Sequence, residues 1–331
     1  MKTRRGLLLV VGANLLALPF RSLAQPKERV WRVGFLWPRA HLEPSVSDHY
    51  DEVARGLRNL GYVEGKNLVI ETRSAEGHYE RLPALAAELI QLKVDVIVTD
   101  GTAGIVAAQK ATSTVPIVFG SAGDPVGNGL VRSLARPGGN TTGISLLAGD
   151  SLAGKQLEIL LALVPRLSHL AVLFNPKNAY SLLALKNMEA AAKKKMVQVL
   201  RVEAWTPAGI DEGVAQLTAK KVDALIWLSD AVIFQQRCQI AALAARYRIP
   251  AMGQSATYTE CGGLINYGSN QFDNYYRAAR MVDKILKGAN PGELPVEQPT
   301  KLELFLNRKA ARALGLEFPP ELLLLADKVI E

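Results

Sequence analysis

Of the 331 residues only two are cysteine, Cys238 and Cys261. Cys238 reads as mid-helix and Cys261 as lying beyond the last strand of its unit, so the pair reads as buried free thiols rather than a bridge. The four histidines (His41, His49, His78, His169) are scattered, with no metal-ligand spacing. There is no Gly-x-Ser-x-Gly elbow, P-loop or dinucleotide fingerprint; Gly253-Gln-Ser255 is a fragment of one at best. These absences argue against an enzyme and imply no cofactor or metal. The formal charge of +8 falls to +4 once the first 24 residues, with four cations and no acid, are set aside. What remains is scattered, with no basic patch interleaved with aromatics, which argues against nucleic acid as a partner.

Long apolar runs are also missing, except at the start. Lys2, Arg4 and Arg5 precede an apolar stretch from Leu7 to Leu18, and Ser22-Leu23-Ala24 offers small residues for cleavage. Residues 1–24 therefore read as a signal peptide, with a mature chain starting near Gln25. The adjacent arginines resemble a twin-arginine signal, though any signal peptide carries a basic start. No later run reaches the roughly 20 apolar residues of a membrane span, and no cysteine follows the signal for lipid attachment. The chain reads as exported and not lipid-anchored.

What is present is a repeat. Before residue 119, short apolar strands alternate with helical patterns: Val33–Pro38, Asn67–Glu71, Lys93–Val98 and Val115–Ile117. After residue 147 the same beats return: Leu170–Pro176, Val197–Leu200, Lys221–Ile226 and Ile249–Ala251. Trp37-Pro38 answers Asn175-Pro176, and Val115-Pro116 answers Ile249-Pro250. Near-continuous apolar strands separated by helices mean parallel sheets covered on both faces. The predicted fold is thus α/β, with two doubly wound parallel-sheet lobes joined by a multi-segment hinge. Lobe 1 is read as 25–146 plus 255–290, and lobe 2 as 147–254 plus 291–331. In this reading a strand at Leu264–Tyr267 and the helix after it return to lobe 1. The segment joining the halves, Phe119–Leu147, is a long Gly/Pro/Asn-rich loop of the kind that is usually functional.

Ligands of such sheets bind beyond the carboxyl ends of the strands, which selects the candidate residues. Trp37 ends the first strand and is either ligand-facing or packed under its loop. Gly101 and Thr102 open a helix after a strand and either present N–H groups and a hydroxyl to an anion or form an ordinary cap. Ser121 and Asp124 follow the fourth strand; Asp124 either meets an ammonium group or shapes an Asp-Pro turn. Asn175, Ser229 and Asp230 take the corresponding places in the second unit, Asp230 serving a ligand or capping a helix. Tyr258 and Tyr267 follow the last strand of the repeat.

Several long stretches resemble the ABC-transporter substrate-binding protein family, with its type I periplasmic binding fold and its tryptophan/tyrosine-type binders. They are Asp124–Gly143, Gly262–Gly268, Glu297–Lys301, Ala313-Leu-Gly-Leu, Pro319-Pro320 and Ala326-Asp327. The resemblance spans nearly the whole mature chain. One departure is Ala256–Glu260, which lacks the basic residue the family often carries before Gly262. The resemblance implies capture of a small amino-acid-like ligand between the lobes, hinge closure, and delivery in the periplasm to a membrane permease with a separate ATPase. A carboxylate at Gly101 and Thr102, an ammonium at Asp124 or Asp230, and packing against Trp37, Tyr258 and Tyr267 are the roles it implies. A sensor presenting its ligand to a membrane receptor needs the same clamshell and remains open.

Overall fold

A computed structural model describes residues 29–40, 49–146, 150–299 and 301–331. The predicted signal segment 1–24 and residues 41–48, with His41, lie outside them. The chain enters lobe 1 as β1 (Trp31–Trp37), α1 (His49–Asn59), β2 (Leu68–Ser74), α2 (Leu82–Gln91), β3 (Val96–Thr99), α3 (Gly101–Ala111), β4 (Ile117–Ala122) and β5 (Thr141–Ser145). It continues in lobe 2 with α4 (Asp150–Leu163), β6 (His169–Phe174), α5 (Ala179–Lys194), β7 (Gln198–Glu203), α6 (Pro207–Ala215) and β8 (Ala224–Trp227). There follow α7 (Ala231–Gln235), α8 (Arg237–Arg246), β9 (Ala251–Gly253), α9 (Ala256–Glu260) and β10 (Ile265–Ser269). Then come α10 (Gln271–Leu286), β11 (Leu302–Asn307), α11 (Arg308–Leu314), α12 (Pro320–Leu325) and β12 (Lys328–Ile330).

The first sheet has the order β2-β1-β3-β4-β5, all parallel. The second runs β12-β11-β10-β9-β8-β6-β7, parallel except where β11 meets β10. Strands β3, β4 and β8 are buried at every residue, as two covered faces require. In lobe 1, α1 and α10 cover one face through Val53, Leu57, Ala278 and Val282. The other face lies under Leu85, Leu89, Ala107 and Ala108 of α2 and α3. Lobe 2 repeats the layering, with α4 and α5 on one side and α6 and α8 on the other. Fully burying a Leu or Val of this kind contributes on the order of 1.5–3 kcal/mol.

Three sequence expectations are corrected. The strand near 264–267 is β10, and it stays in the second sheet, paired with β9 through Ile265 and Met252. Only the following helix, α10, crosses to lobe 1, so the segment 255–269 belongs to lobe 2. The return from α10 also comes later than residue 291: Val296 N–H donates to the Leu134 carbonyl and Glu297 bridges to Ile144 of β5. The apolar pattern showed that the 264–267 segment is buried, but an apolar strand carries no label for its sheet. Finally, Cys238 and Cys261 form a disulfide with a Cα–Cα distance of 5.1 Å, within the usual range. Cys261 is the C-cap of α9, and β10 holds α9 against α8, which brings together two positions that read as distant.

Candidate functional site

The strand ends of both lobes face one another, and the loops beyond them enclose a cavity of about 20 Å³. Lobe 1 lines it with Asp100, Gly101, Thr102 and Ser121, and lobe 2 with Tyr180, Ser229, Asp230 and Phe234. Gly101 begins α3 with φ at +63°, a left-handed start that glycine adopts without strain. Gly101 and Thr102 both line the cavity, at a helix end whose first N–H groups have no partner within the helix. Thr102 is 3% exposed and its Oγ1 has no hydrogen-bond partner among the described residues. A buried hydroxyl left unpaired is costly, by about 1–3 kcal/mol, so one that borders a cavity is suited to a polar ligand atom.

Asp100 caps α3 from extended backbone but gives its carboxylate to none of the helix N–H groups. Oδ2 instead accepts from Arg39 Nε at 3.3 Å and lies 3.8 Å from His49 Nδ1, while Oδ1 accepts from the Tyr275 hydroxyl. Burial pushes the carboxyl upward, but the neighbouring His49, the Arg39 charge and the Tyr275 hydroxyl outweigh it and hold it below its ordinary value. The cluster is floored by aromatics: His49 stacks on Tyr275 at 4.2 Å, and the Arg39 guanidinium lies 5.4 Å from the Trp37 ring.

Across the cleft, Asp230 caps α7. Its Oδ1 accepts from the N–H groups of Val232 and Ile233. Its Oδ2 accepts from Asn175 Nδ2 at 3.1 Å, from Asn178 Nδ2 at 2.8 Å, and from the Tyr79 hydroxyl of lobe 1 at 2.7 Å. Tyr180 follows the Asn178 cap of α5, and its ring meets the backbone of Gly123 in lobe 1, where a Cβ would overlap it. Burial, with the nearby Asp124 charge, pushes the Tyr180 hydroxyl up to about 12. Behind Tyr180 lies a second cavity of about 20 Å³, bordered by Gln156, Met188 and Gln254.

Gly101, Thr102, Ser121, Ser229 and Asp230 are thus brought together around one cavity, and Asn175 reaches it through Asp230. Asp124 sits beside it, with Oδ1 accepting from Gly127 N–H at 2.8 Å and its carbonyl accepting from Asn128. This is the turn-shaping arrangement of Asp-Pro. Trp37 lies beneath the cluster, buried, its Nε1 without a partner among the described residues. Tyr258 is not brought there: it is fully buried in lobe 2, edge-on to Trp227 at 5.7 Å. Tyr267 is not either; on β10 it packs at the border of the lobe 2 core and its carbonyl accepts from Gln156.

Sequence reasoning passed over Asp100, Arg39, Tyr79, Asn178, Tyr180 and Phe234. One signal was available. Asp100 and Asp230 each stand at the N-cap of the helix that follows the third strand of their unit, so the repeat itself pairs them. Arg39, Tyr79 and Phe234 carried no local mark, because each reaches the cleft from a different segment of the chain. Among the described residues no group of His, Cys, Asp and Glu is placed to hold a metal, and no helix is long and apolar enough to cross a membrane.

A clamshell of two α/β lobes with its polar cavity at the facing strand ends defines a type I periplasmic binding protein architecture. The model of the ABC transporter substrate binding protein family matches residues 41–330, and the chain belongs to that family. It is 26% identical to a tyrosine-binding protein of Clostridioides difficile (strain R20291) over 275 residues, covering 83% of this chain and 78% of the relative. Two crystal structures cover 91% of this chain at 26% identity, each matched over its whole length. One, a conserved domain protein from Vibrio cholerae, has a TM-score of 0.84. The other, an ABC domain from Streptococcus pneumoniae in complex with L-Trp, has a TM-score of 0.82.

Proposed function

We propose that this substrate-binding protein captures a small amino-acid-like ligand, aromatic by preference, between its lobes. It closes on the ligand by hinge motion and delivers it in the periplasm to an ABC permease driven by a separate ATPase. The observation that carries the reading is the cavity between the lobes. There the α3 N-terminus and the unpartnered Thr102 hydroxyl meet Tyr180 and Phe234 from the other lobe. Oriented N–H groups and a hydroxyl suit a carboxylate. Asp124, beside the cavity, supplies negative charge for an ammonium, and the rings supply an apolar wall. The names of the two relatives, one for tyrosine and one holding L-Trp, point to the same ligand class. Tyr180 separates two small cavities, so displacing its ring joins them into space for a ligand side chain.

Closure follows from contacts that one ligand makes to both lobes, which favour the closed state in proportion to the difference in affinity. A thermal-shift and calorimetric screen against amino acids, sugars and nucleosides tests the reading. L-tryptophan or L-tyrosine at 100 times its dissociation constant is expected to stabilise the protein by about 2.7 kcal/mol, and Thr102→Ala to weaken that binding. A response confined to sugars or nucleosides would discard the ligand class and the role of Thr102.

A further inference from the structure

Between the lobes α3 approaches α5, and several further contacts fall on one short element. Besides Tyr180 on Gly123, they involve α7 and its cap. Asp230 accepts the Tyr79 hydroxyl at 2.7 Å, and Gln235 Oε1 accepts the Ala40 N–H at 3.3 Å. Phe234 stacks on His49 at 4.8 Å, and Val232 lies so close to Gly77 that a Cβ there would be 3.6 Å from it. The loops after β1 and after β2 therefore both dock on α7.

Asp230 has no capacity left for a ligand. An ionised carboxylate offers about four lone-pair sites, and five donors already converge on it: two helix N–H groups, two asparagine amides and Tyr79. Four of them come from lobe 2 and hold the carboxylate in a fixed direction. The fifth comes from lobe 1. Burial first, and then the Asp230 charge, raise the Tyr79 hydroxyl well above its ordinary value, which keeps its proton available for donation at any physiological pH.

We infer that Tyr79 and α7 form a latch between the lobes, in which Asp230 is a positioning residue and not the ligand's ammonium partner. The inference rests on the reading that ligand is taken between the lobes. A latch that favours the closed form raises the fraction of protein competent to hold ligand, and apparent affinity scales with that fraction for every ligand alike. Its loss therefore weakens binding without changing selectivity. A residue that touches the ligand's side chain does the reverse and shifts the ratio between ligands.

Tyr79→Phe removes the hydroxyl and keeps the ring, and Gln235→Ala removes the second hydrogen bond. Loss of a hydrogen bond to a charged acceptor in Tyr79→Phe is expected to weaken L-tryptophan and L-tyrosine by the same factor, about tenfold. Gln235→Ala should weaken both by a smaller common factor. Small-angle scattering of ligand-free Tyr79→Phe should show a larger radius of gyration than the ligand-free parent. A changed tryptophan-to-tyrosine ratio would make Tyr79 a ligand contact and overturn the latch. So would unchanged affinity together with unchanged scattering. If the parent binds neither amino acid, the ligand reading fails by itself, and the scattering comparison still decides the latch.

Discussion

The two halves run one design and finish it differently. The strand order β2-β1-β3-β4-β5 in lobe 1 has its counterpart in β7-β6-β8-β9-β10 of lobe 2, so β10 is the counterpart of β5. After each fifth strand the chain leaves. The helix following β5, α4, packs with α5 in lobe 2, and the helix following β10, α10, packs on α1 in lobe 1. Each half thus covers its sheet with a helix from the other. Lobe 2 alone then adds β11 and β12 and a disulfide. The exchange ties the two lobes together through the crossing segments after β5 and β10.

The counterpart aspartates carry the same lesson at the scale of one side chain. Asp100 and Asp230 each cap the helix after a third strand. Asp100 turns to Arg39, His49 and Tyr275, partners within its own lobe. Asp230 caps its helix and reaches Tyr79 in the other lobe. One stabilises a lobe; the other joins two.

The difference between the halves can be tested by breaking it. The largest effect is expected from the disulfide that only lobe 2 possesses. Cys261→Ser opens a loop with a sequence separation of 23, and denaturant unfolding should show a loss of about 3 kcal/mol; an unchanged midpoint would mean that packing around α8 and α9 alone holds lobe 2. Next comes the Gly123–Tyr180 contact. Gly123→Ala places a methyl in the Tyr180 ring, an overpacking of about 1–3 kcal/mol directed at closure. Titration should show ligand affinity falling about tenfold or more, with the melting temperature of ligand-free protein little changed.

Asp100→Asn addresses the contrast between the aspartates. The folded Asp100 carboxyl lies below its ordinary value of 3.8, so its contribution is fully present above that pH. It is lost as pH falls through the lower folded value. Unfolding measured from pH 6 to pH 2 should lose part of its acid dependence in the variant; an unaltered acid limb would remove Asp100 from the account. The smallest effect is expected far from the cleft. Thr206 caps α6 through Gly209 N–H at 3.1 Å, and Thr206→Ala should lower stability by about 1 kcal/mol while leaving ligand affinity as it was.

Strand and helix positions were legible throughout the repeat because they depend on local periodicity. The predicted strands Val33–Pro38 and Leu170–Pro176 are β1 and β6. At the site, legibility stopped at the strand ends. Gly101, Thr102, Ser121, Ser229 and Asp230 could be picked from position alone as neighbours of one cavity, since they follow the carboxyl ends of strands. Tyr258 and Tyr267 could not be judged that way. An aromatic after a strand serves a core as readily as a cleft, and both belong to lobe 2 packing.

By itself, then, the sequence determined the alternation of apolar strands and amphipathic helices, the doubling of the unit, and the sites where turns and caps fall. Tertiary structure alone decided that β10 joins the second sheet, that α10 crosses, that Cys238 meets Cys261, and that Asp230 is spent on Tyr79 at 151 residues' separation. Periodicity is written in neighbouring residues, whereas pairing and side-chain direction depend on partners that only the folded chain brings within reach.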